Sequence, residues 1–286
     1  MEETRNLVDL LTRQSCVLQD TIAFTFLSES NSREENISFA QLHRDACAIA
    51  ADLQGASARG ERAVLLYPPG LEFVRAFFGC LYAGVVAVPA YAPHPAQPAK
   101  TLPRLRRIMR DSGARFALTT SEIAERLREE HSAVAQAEGL IWIASDLPGK
   151  DHRGWKRPDL RSDSVAMLQY TSGSTGDPKG VVLTHGNLLH NRRQIERGLG
   201  RPPAVGCSWL PVYHDMGLIG HVIVPVCQGI RSVIMAPLEF LRAPYLWLEA
   251  ITRYRATTSG GPNFAWDLCT QKIAEERLAN PKTSAK

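Results

Sequence analysis

The sequence lacks the patterns that mark several large classes of protein. Its six cysteines lie far apart and form no Cys-x-x-Cys pair, which leaves a zinc site of that type unsupported and indicates reduced, buried thiols. The 33 basic residues exceed the 29 acidic ones by only four, so charge gives no indication of binding to nucleic acid or to a membrane surface. With 286 residues, 44% apolar and 22% charged, the composition is that of a globular protein of one or two domains.

Long apolar runs are also missing. The longest stretch around residues 76–93 without a charge is interrupted by Gly79, Gly84, Pro89 and Pro93, which favours a helix, a turn and a strand over a membrane span. The first five residues carry two glutamates and an arginine instead of the apolar segment of a signal peptide. We therefore expect a cytoplasmic protein without a membrane span.

The sequence does contain an alternation of short apolar strands with amphipathic helices. Strands are predicted at residues 22–27, 63–67, 85–88, 116–119, 140–144, 165–169, 205–210, 222–226 and 232–235. Helices are predicted at residues 39–53, 71–82, 102–109, 121–137, 188–195, 245–254 and 264–278. Ser38 followed by Gln41 predicts a capping box at the start of the first of them. Such alternation implies crossover connections, and therefore an α/β fold with mostly parallel sheets covered by helices on both faces.

An arginine-rich segment follows a proline-rich one. Residues 89–103 hold five prolines and are predicted to form a loop or a hinge. Leu105, Ile108 and Met109 then fall on one face of a helix and the arginines on the other, which indicates a solvated helix face. A docking surface for an acidic partner is the alternative.

The segment 170–180, Tyr-Thr-Ser-Gly-Ser-Thr-Gly-Asp-Pro-Lys-Gly, is rich in groups that bind anions. Its hydroxyl groups, the backbone N–H groups freed by its glycines and its lysine could together hold a chain of phosphates. It is not a Walker A motif, because Lys179 is followed by glycine, and on composition alone a flexible surface turn is the alternative. The candidate phosphate-binding residues are Thr171, Ser172, Gly173, Ser174, Thr175, Gly176 and Lys179.

The order of residues in this segment resembles the phosphate-binding signature of acyl-adenylate-forming enzymes, the superfamily of acyl-CoA synthetases, luciferases and peptide-synthetase adenylation domains. Residues 38–42, 81–89 and 211–218 resemble further blocks of that superfamily, in the expected order. The amino-acid sequences of residues 89–120 and of the segments around His214 and Pro262 are most similar to those of the fatty acyl-AMP ligase branch. The resemblance covers residues 21–278.

This resemblance implies an activity and a fold. The family joins a carboxylate to the α-phosphorus of ATP, usually with Mg2+, and releases pyrophosphate. The α/β fold would have two similar, mostly parallel sheets flanked by helices. One subdomain would be built from residues 61–200, and part of a second from residues 1–60 together with 201–286.

The resemblance also implies roles for individual residues. Lys179 is expected to act on the β- and γ-phosphates, and His214 to act at the acyl-carboxylate end of the site, so both are candidate catalytic residues. Asp215 is expected to orient His214 or its loop. The remaining candidate substrate-binding residues, expected either at a pocket wall or in a tight strand-to-helix turn, are Gly260, Gly261 and Asn263. No metal ligand is predicted.

Later blocks of the family do not occur in these 286 residues. They are the segment that contacts adenine and magnesium, the aspartate that holds the ribose, and a small C-terminal domain with its lysine. We therefore expect the N-terminal part of a fatty acyl-AMP ligase, inactive by itself, whose parent enzyme loads a fatty acid onto an acyl carrier protein. The alternatives are a fragment of a fatty acyl-CoA synthetase and a truncated, non-catalytic module that binds a nucleotide or a partner.

Overall fold

Two β-sheets with helices between them and on their outer faces make up the described part of the chain. The computed structural model describes residues 5–28, 33–93, 98–130, 139–146, 152–171, 178–200 and 204–273. The strands in these ranges are β1 (Ile22–Ser28), β2 (Arg33–Ser38), β3 (Arg62–Tyr67), β4 (Val86–Tyr91), β5 (Phe116–Thr119), β6 (Ile141–Ala144), β7 (Val165–Thr171), β8 (Lys179–Thr184), β9 (Val205–Ser208), β10 (Arg231–Met235) and β11 (Thr258–Ser259).

The helices alternate with these strands along the chain. They are α1 (Leu7–Val17), α2 (Phe39–Gly55), α3 (Leu71–Ala83), α4 (Pro98–Ser112), α5 (Ser121–Glu130), α6 (His185–Leu199), α7 (Asp215–Leu218), α8 (Val224–Gln228), α9 (Pro237–Arg242), α10 (Tyr245–Arg253) and α11 (Asn263–Lys272). A π-helical turn, Ile219–Ile223, joins α7 to α8. None of the helices in the described ranges combines the length and the apolarity that crossing a bilayer requires.

Both sheets are mostly parallel, as the alternation predicts. The first has the strand order β11-β9-β10-β1-β2 and the second the order β6-β5-β3-β4-β7-β8. Within the described residues, only the edge strands β2 and β8 run antiparallel to their neighbours. The strands from residues 61–200 form the second sheet, and those before and after it form the first. The division into two subdomains stays a prediction.

One hydrophobic core lies between the sheets. Helix α2 packs on β1 and β2, α3 packs on β3 and β4, and the two helices contact each other. Phe24 of the first sheet, Phe39 of α2, Phe77 of α3 and Leu65 of the second sheet are all fully buried in this core. Smaller clusters cover the outer faces, one under α4 and one under α9, α10 and α11.

The contact between α2 and α3 depends on a glycine. A Cβ atom at Gly79 would lie 2.5 Å from Cγ2 and 2.7 Å from Cβ of Ile49, well inside van der Waals contact. Ile49 is itself buried, so it has no open space into which it could move. Gly79 therefore sets how closely the two inner helices approach.

Most of the predicted elements are confirmed, with one error of type. Residues 222–226, predicted as a strand, belong instead to the π-helical turn and α8. The run is buried on all sides, so its apolar pattern does not distinguish strand from helix. Gly229, with a left-handed φ of 69°, ends the helix.

Several elements are absent from the sequence-based prediction, α1 and β2 among them, and two predicted helices extend beyond the described ranges. Helix α1 begins after Asn6, whose side chain accepts a hydrogen bond from the Asp9 backbone N–H. Strand β2 is mostly polar, and Ile37 is its one apolar residue. Residues 131–137 and 274–278, predicted as helical, lie outside the described residues.

The other local predictions hold in outline. Ser38 caps α2 by accepting a hydrogen bond from Gln41 N at 3.2 Å. In α4, Leu105, Ile108 and Met109 are buried, as the spacing predicts. The predicted proline-rich loop is shorter than expected, since β4 extends to residue 91 and α4 begins at residue 98.

All six cysteines are free thiols. Cys16 is exposed, which corrects the expectation of burial at that position, and the other five are buried. Burial raises the pKa of Cys47, Cys207 and Cys227 to about 12 and shifts the other two buried thiols in the same direction. The buried thiols are therefore protonated and unreactive at neutral pH.

A buried histidine joins the first helix to α6. The side chain of His185 is 1% exposed, and its Nδ1 accepts a hydrogen bond from the backbone N–H of Leu7 at 3.3 Å. Burial lowers the pKa of His185 to about 4, while Asp9 acts in the opposite direction. The ring is neutral at pH 7, which lets Nδ1 act as an acceptor.

Alanine substitutions at two helical glycines are expected to have opposite effects. Gly79→Ala should lower the free energy of unfolding by about 1–3 kcal/mol, because it overpacks the contact between α2 and α3. Gly198→Ala, in α6, adds a Cβ with no atom within 4 Å. It should raise that free energy by about 0.5–1 kcal/mol through helix propensity. Urea unfolding followed by far-UV circular dichroism measures both, and a neutral Gly79→Ala would show that the inner helices have room to separate.

Acid should weaken the fold through His185. The folded-state pKa lies below the ordinary value of 6.5, so the unfolded chain binds the proton first and stability falls as pH drops from about 6.5 to about 4. Protonation of His185 is expected to lower the free energy of unfolding by roughly 3 kcal/mol over that range. His185→Asn keeps an acceptor near the Nδ1 position and should flatten the dependence measured by urea unfolding. His190→Asn, at an exposed position of the same helix, is the control and should leave the slope unchanged.

Candidate active site

The predicted site residues lie where strands of both sheets end. In the second sheet, the parallel strands β4 and β7 end at Tyr91 and Thr171. In the first sheet, the neighbouring parallel strands β9 and β11 end at Ser208 and Ser259. The end of β7 and the segments that follow β7, β9 and β11 carry the candidate residues. This carboxyl edge is where open α/β sheets bind their ligands.

The base of the predicted phosphate loop is an antiparallel hairpin. Thr171, the last residue of β7, pairs with Lys179, the first residue of β8, and both are exposed. The structure thus places these two candidate residues opposite each other at the two ends of the loop. The other candidates of the loop, which lie outside the described residues, are Ser172, Gly173, Ser174, Thr175 and Gly176.

A buried tyrosine holds this hairpin against α4. The hydroxyl of Tyr170 donates a hydrogen bond to Asp111 Oδ2 at 2.5 Å. Burial, together with the negative charge of Asp111, raises the pKa of Tyr170. A Cβ atom at Gly180 would lie 2.9 Å from Cζ of the Tyr170 ring, so the absence of a side chain there lets β8 lie on the ring. The base of the loop is therefore fixed on one side.

His214 and Asp215 lie together at the start of α7, where the structure exposes both. Nδ1 of His214 is 2.5 Å from Oδ1 of Asp215. The same carboxylate oxygen accepts a hydrogen bond from the backbone N–H of Met216 at 2.7 Å. This geometry agrees with a role for Asp215 in orienting the histidine, and that role stays a prediction.

The turn that carries His214 is tightly folded. The backbone N–H of His214 donates a hydrogen bond to the backbone carbonyl of Pro211 at 3.0 Å. A Cβ atom at Gly217 would lie 2.2 Å from that same carbonyl oxygen and 2.8 Å from its carbon. Only glycine fits this approach of one backbone to another. Residues 211–217 therefore form a compact unit, which we call the His214 turn.

Contacts that sequence reasoning missed join the His214 turn to the hairpin. Nε2 of Gln169, on β7, donates a hydrogen bond to the backbone carbonyl of Tyr213 at 3.1 Å. The ring of Tyr213 packs on that of Tyr91, with 5.9 Å between the centroids. The signal for Gln169 was an amide at the end of an otherwise apolar strand, and strand periodicity alone does not say what such a group contacts.

Gly260, Gly261 and Asn263 lie in the connection between β11 and α11. Asn263 is the first residue of the helix and is exposed, so the predicted strand-to-helix turn is confirmed. A Cβ atom at Gly261 would lie 3.0 Å from Cζ2 of Trp209. The glycine thus lets the turn pack on the indole. A place for these residues in a pocket wall stays a prediction.

An aromatic cluster lies beside this turn. The ring of Trp209 stacks on Phe240 with 4.0 Å between centroids, and it makes edge-to-face contacts with Trp247 and Phe264. Phe264 and Trp266 of α11 are each about half exposed, at 50% and 49%. An apolar surface therefore adjoins the ends of β9 and β11.

Carboxylates near the hairpin and the His214 turn are already engaged. Asp111 accepts from Tyr170, and Asp215 contacts His214. No group of three or more histidine, cysteine, aspartate or glutamate side chains suited to a metal ion occurs within the described ranges. The donor set in this part of the chain therefore does not make a metal site by itself.

Comparisons with known proteins find relatives that match most of this chain. JamA of Moorena producens, a medium-chain-fatty-acid–acyl-carrier-protein ligase, is 42% identical over 281 residues, which are 97% of this chain and 48% of JamA. TtuA of Teredinibacter turnerae, with the same description, is 31% identical over 91% of this chain and 46% of its own length. The chain thus spans about half the length of these curated relatives.

A solved structure shows the same architecture. The fatty acyl-adenylate ligase of Legionella pneumophila, crystallised in complex with acyl adenylate and pyrophosphate, superposes with a TM-score of 0.87 and 38% sequence identity. The match covers 96% of this chain and 47% of that one. A family model described as AMP-binding enzyme matches residues 11–285, so the chain belongs to the AMP-binding enzyme family.

Proposed function

We propose that the chain is the N-terminal part of an ATP-dependent fatty acyl-AMP ligase. The observation that carries the proposal is the arrangement at the carboxyl edge. There the hairpin with Thr171 and Lys179 is bonded through Gln169 to the turn with His214. The similarity to a ligase crystallised with acyl adenylate and pyrophosphate supports this assignment.

The proposed reaction brings two anions together. An oxygen of a fatty-acid carboxylate attacks the α-phosphorus of ATP, the bond from that phosphorus to the oxygen bridging to the β-phosphate breaks, and pyrophosphate leaves. Negative charge builds on the leaving pyrophosphate. Catalysis therefore requires hydrogen-bond donors and positive charge fixed where this charge develops.

Lys179 and the loop meet this requirement in the proposal. The ammonium group of Lys179 is exposed at the end of the hairpin, and it makes no ion pair within the described residues. It is available to the β- and γ-phosphates, with the hydroxyl of Thr171 at the opposite end of the loop. Ser172, Gly173, Ser174, Thr175 and Gly176 would add hydroxyl and backbone N–H donors between them.

His214 is proposed to act where the carboxylate meets the α-phosphate. A ring N–H, or a positive charge on the ring, would reduce the repulsion between the two anions. The contact between Nδ1 and Asp215 leaves Nε2 as the nitrogen free to face the reactants. We assign Asp215 the orienting role, because a carboxylate turned toward the phosphates would repel them.

The fatty acyl chain is proposed to lie along the aromatic surface next to the Gly260–Gly261 turn. Phe264 and Trp266 present half-exposed apolar faces there, and the Phe264 ring packs on the buried ring of Trp209. The two glycines and Asn263 would form part of the wall of the same pocket. An apolar chain gains free energy on leaving water for such a surface, at roughly 25 cal/mol per Å² buried.

Mg2+ is proposed as the companion of ATP. This ion binds mainly through phosphate oxygens and water, with one or two carboxylates from the protein. The described residues offer no free carboxylate cluster, so we assign no ligand to the ion and route no step through it.

An acyl carrier protein is the proposed acceptor of the acyl group, and the cytoplasm the proposed compartment. The similarity to two proteins described as medium-chain-fatty-acid–acyl-carrier-protein ligases supports the first, and the free thiols support the second. Arg106 and Arg110 are exposed on α4, and such charges can steer an acidic carrier protein. Transfer to coenzyme A, and a non-catalytic binding module, remain the alternatives.

Loss of the Lys179 charge should slow adenylate formation. In the complete enzyme, Lys179→Ala is expected to lower kcat for ATP–pyrophosphate exchange by roughly one to two orders of magnitude, as charge-assisted contacts typically do. Lys156→Ala is the control, because Lys156 is exposed next to Gln54 of α2 and away from the hairpin. An exchange rate unchanged by Lys179→Ala would return the loop to the surface-turn interpretation.

A product assay tests the function itself. The complete enzyme is given ATP, a fatty acid and either a carrier protein or coenzyme A, and the products are weighed by mass spectrometry. We expect acyl-AMP, an acylated carrier protein and little acyl-CoA. The 286-residue chain alone should give only background.

Each other result of that assay selects one alternative. Abundant acyl-CoA with an unloaded carrier would replace the proposal by an acyl-CoA synthetase. Binding of ATP by the complete protein without any acyl-AMP would favour the non-catalytic module.

A further inference from the structure

Gln169 is a buried polar residue in an apolar setting. Its side chain is 5% exposed. Its strand neighbour Met167, which points to the same face, belongs to the core between the two sheets. Burying an amide there is unfavourable unless the amide forms hydrogen bonds. A specific use for the amide is therefore expected.

That use is one bond between the two halves of the site. Nε2 of Gln169 donates to the carbonyl of Tyr213, the residue immediately before His214. Gln169 itself lies two residues before Thr171, where the phosphate hairpin begins. The bond thus joins strand β7 of the second sheet to a turn that follows β9 of the first sheet.

The other half of the same amide is unsatisfied. Oε1 of Gln169 is buried and has no hydrogen-bond partner among the described residues. An unpaired buried carbonyl is unfavourable, and this offsets much of what the Nε2 bond contributes to stability. A leucine of similar size would avoid that penalty. Stability alone thus gives little reason for glutamine at this position.

The turn that receives the bond can transmit a displacement. Residues 211–217 fold back on themselves, with Gly217 in direct contact with the Pro211 carbonyl. A shift of the Tyr213 carbonyl would therefore move His214 with it. The Tyr91 ring also contacts Tyr213, but this contact is apolar packing, which does not hold the His214 turn in one fixed position.

We propose that Gln169 is a positioning residue that sets the place of His214 relative to the phosphate-binding hairpin. It touches neither reactant and acts through the Tyr213 carbonyl. The catalytic part of this inference rests on the proposed function. The geometric part, that the amide holds the His214 turn, does not.

Three variants of the complete enzyme separate positioning from stability. Gln169→Leu removes the donor and keeps the volume. Gln169→Glu keeps the shape, but its carboxyl group can donate only when protonated. Gln228→Leu is the matched control, because the amide nitrogen and oxygen of Gln228 are buried and make no hydrogen bond among the described residues.

The geometric part is tested by hydrogen–deuterium exchange, which requires no activity. In Gln169→Leu, we expect faster exchange of the backbone amides of residues 213–218, unchanged exchange in α2 and α3, and a melting temperature close to that of the unchanged enzyme. Gln228→Leu should leave residues 213–218 protected. Unaltered exchange in this segment in Gln169→Leu would overturn the proposal.

The catalytic part is tested by ATP–pyrophosphate exchange. Gln169→Leu should lower kcat by roughly 10- to 100-fold, as displaced catalytic groups do, with the KM for ATP changed less than about threefold. Gln169→Glu should recover activity as pH falls, because the protonated carboxyl group donates to the Tyr213 carbonyl again, and burial raises the pKa of such a group. A pH profile parallel to that of the unchanged enzyme would overturn the proposal.

Failure of the proposed function would be distinguishable from failure of this inference. If the unchanged enzyme makes no acyl-AMP, the function is wrong, and the exchange of residues 213–218 still decides whether Gln169 holds the turn. If acyl-AMP forms and Gln169→Leu has normal kinetics, the function stands and the positioning role is wrong.

Discussion

The close packing of α2 against α3 is the constraint on which the rest of the structure depends. Each of these helices lies on a different sheet, so the distance between them sets the distance between the sheets. Gly79 allows Ile49 to come close, and the two sheets then bring their carboxyl ends within reach of single side-chain hydrogen bonds. The candidate site is a consequence of this spacing, since neither sheet carries all of its residues.

In the candidate site, the groups that fix the geometry are buried, and the groups that would meet the reactants are exposed. The groups that fix geometry, Tyr170 and Gln169, are buried, where a hydrogen bond is not in competition with water. The groups proposed to act on the reactants or to orient them, Lys179, His214 and Asp215, are exposed. Ionised groups keep their hydration until a ligand replaces it, so the free chain avoids the penalty of burying them.

Sequence reasoning predicted the features that depend on local residue patterns and on specific sequence motifs. The α/β fold follows from periodicity, the capping of α2 by Ser38 from a capping-box spacing, and a loop that contains Thr171 and Lys179 from a distinctive motif. The pairing of Thr171 with Lys179 in a hairpin was not predicted. Strand β2 was not predicted, because it pairs with β1 through backbone hydrogen bonds, which a polar edge strand can make without an apolar pattern. The role of Gln169 was missed for a different reason. Its partner is a backbone carbonyl 44 residues away, and no side chain near that carbonyl indicates the hydrogen bond.

The distribution of free thiols gives this chain a built-in reporter of its own opening. Cys207 and Cys227 lie before and after the His214 turn, and Cys80 lies in the inner helix α3, all shielded from solvent. A water-soluble thiol reagent would modify Cys16 at once and reach these sites only during fluctuations that expose them. The order in which the remaining cysteines become labelled would therefore trace which part of the molecule opens first, without any engineered probe.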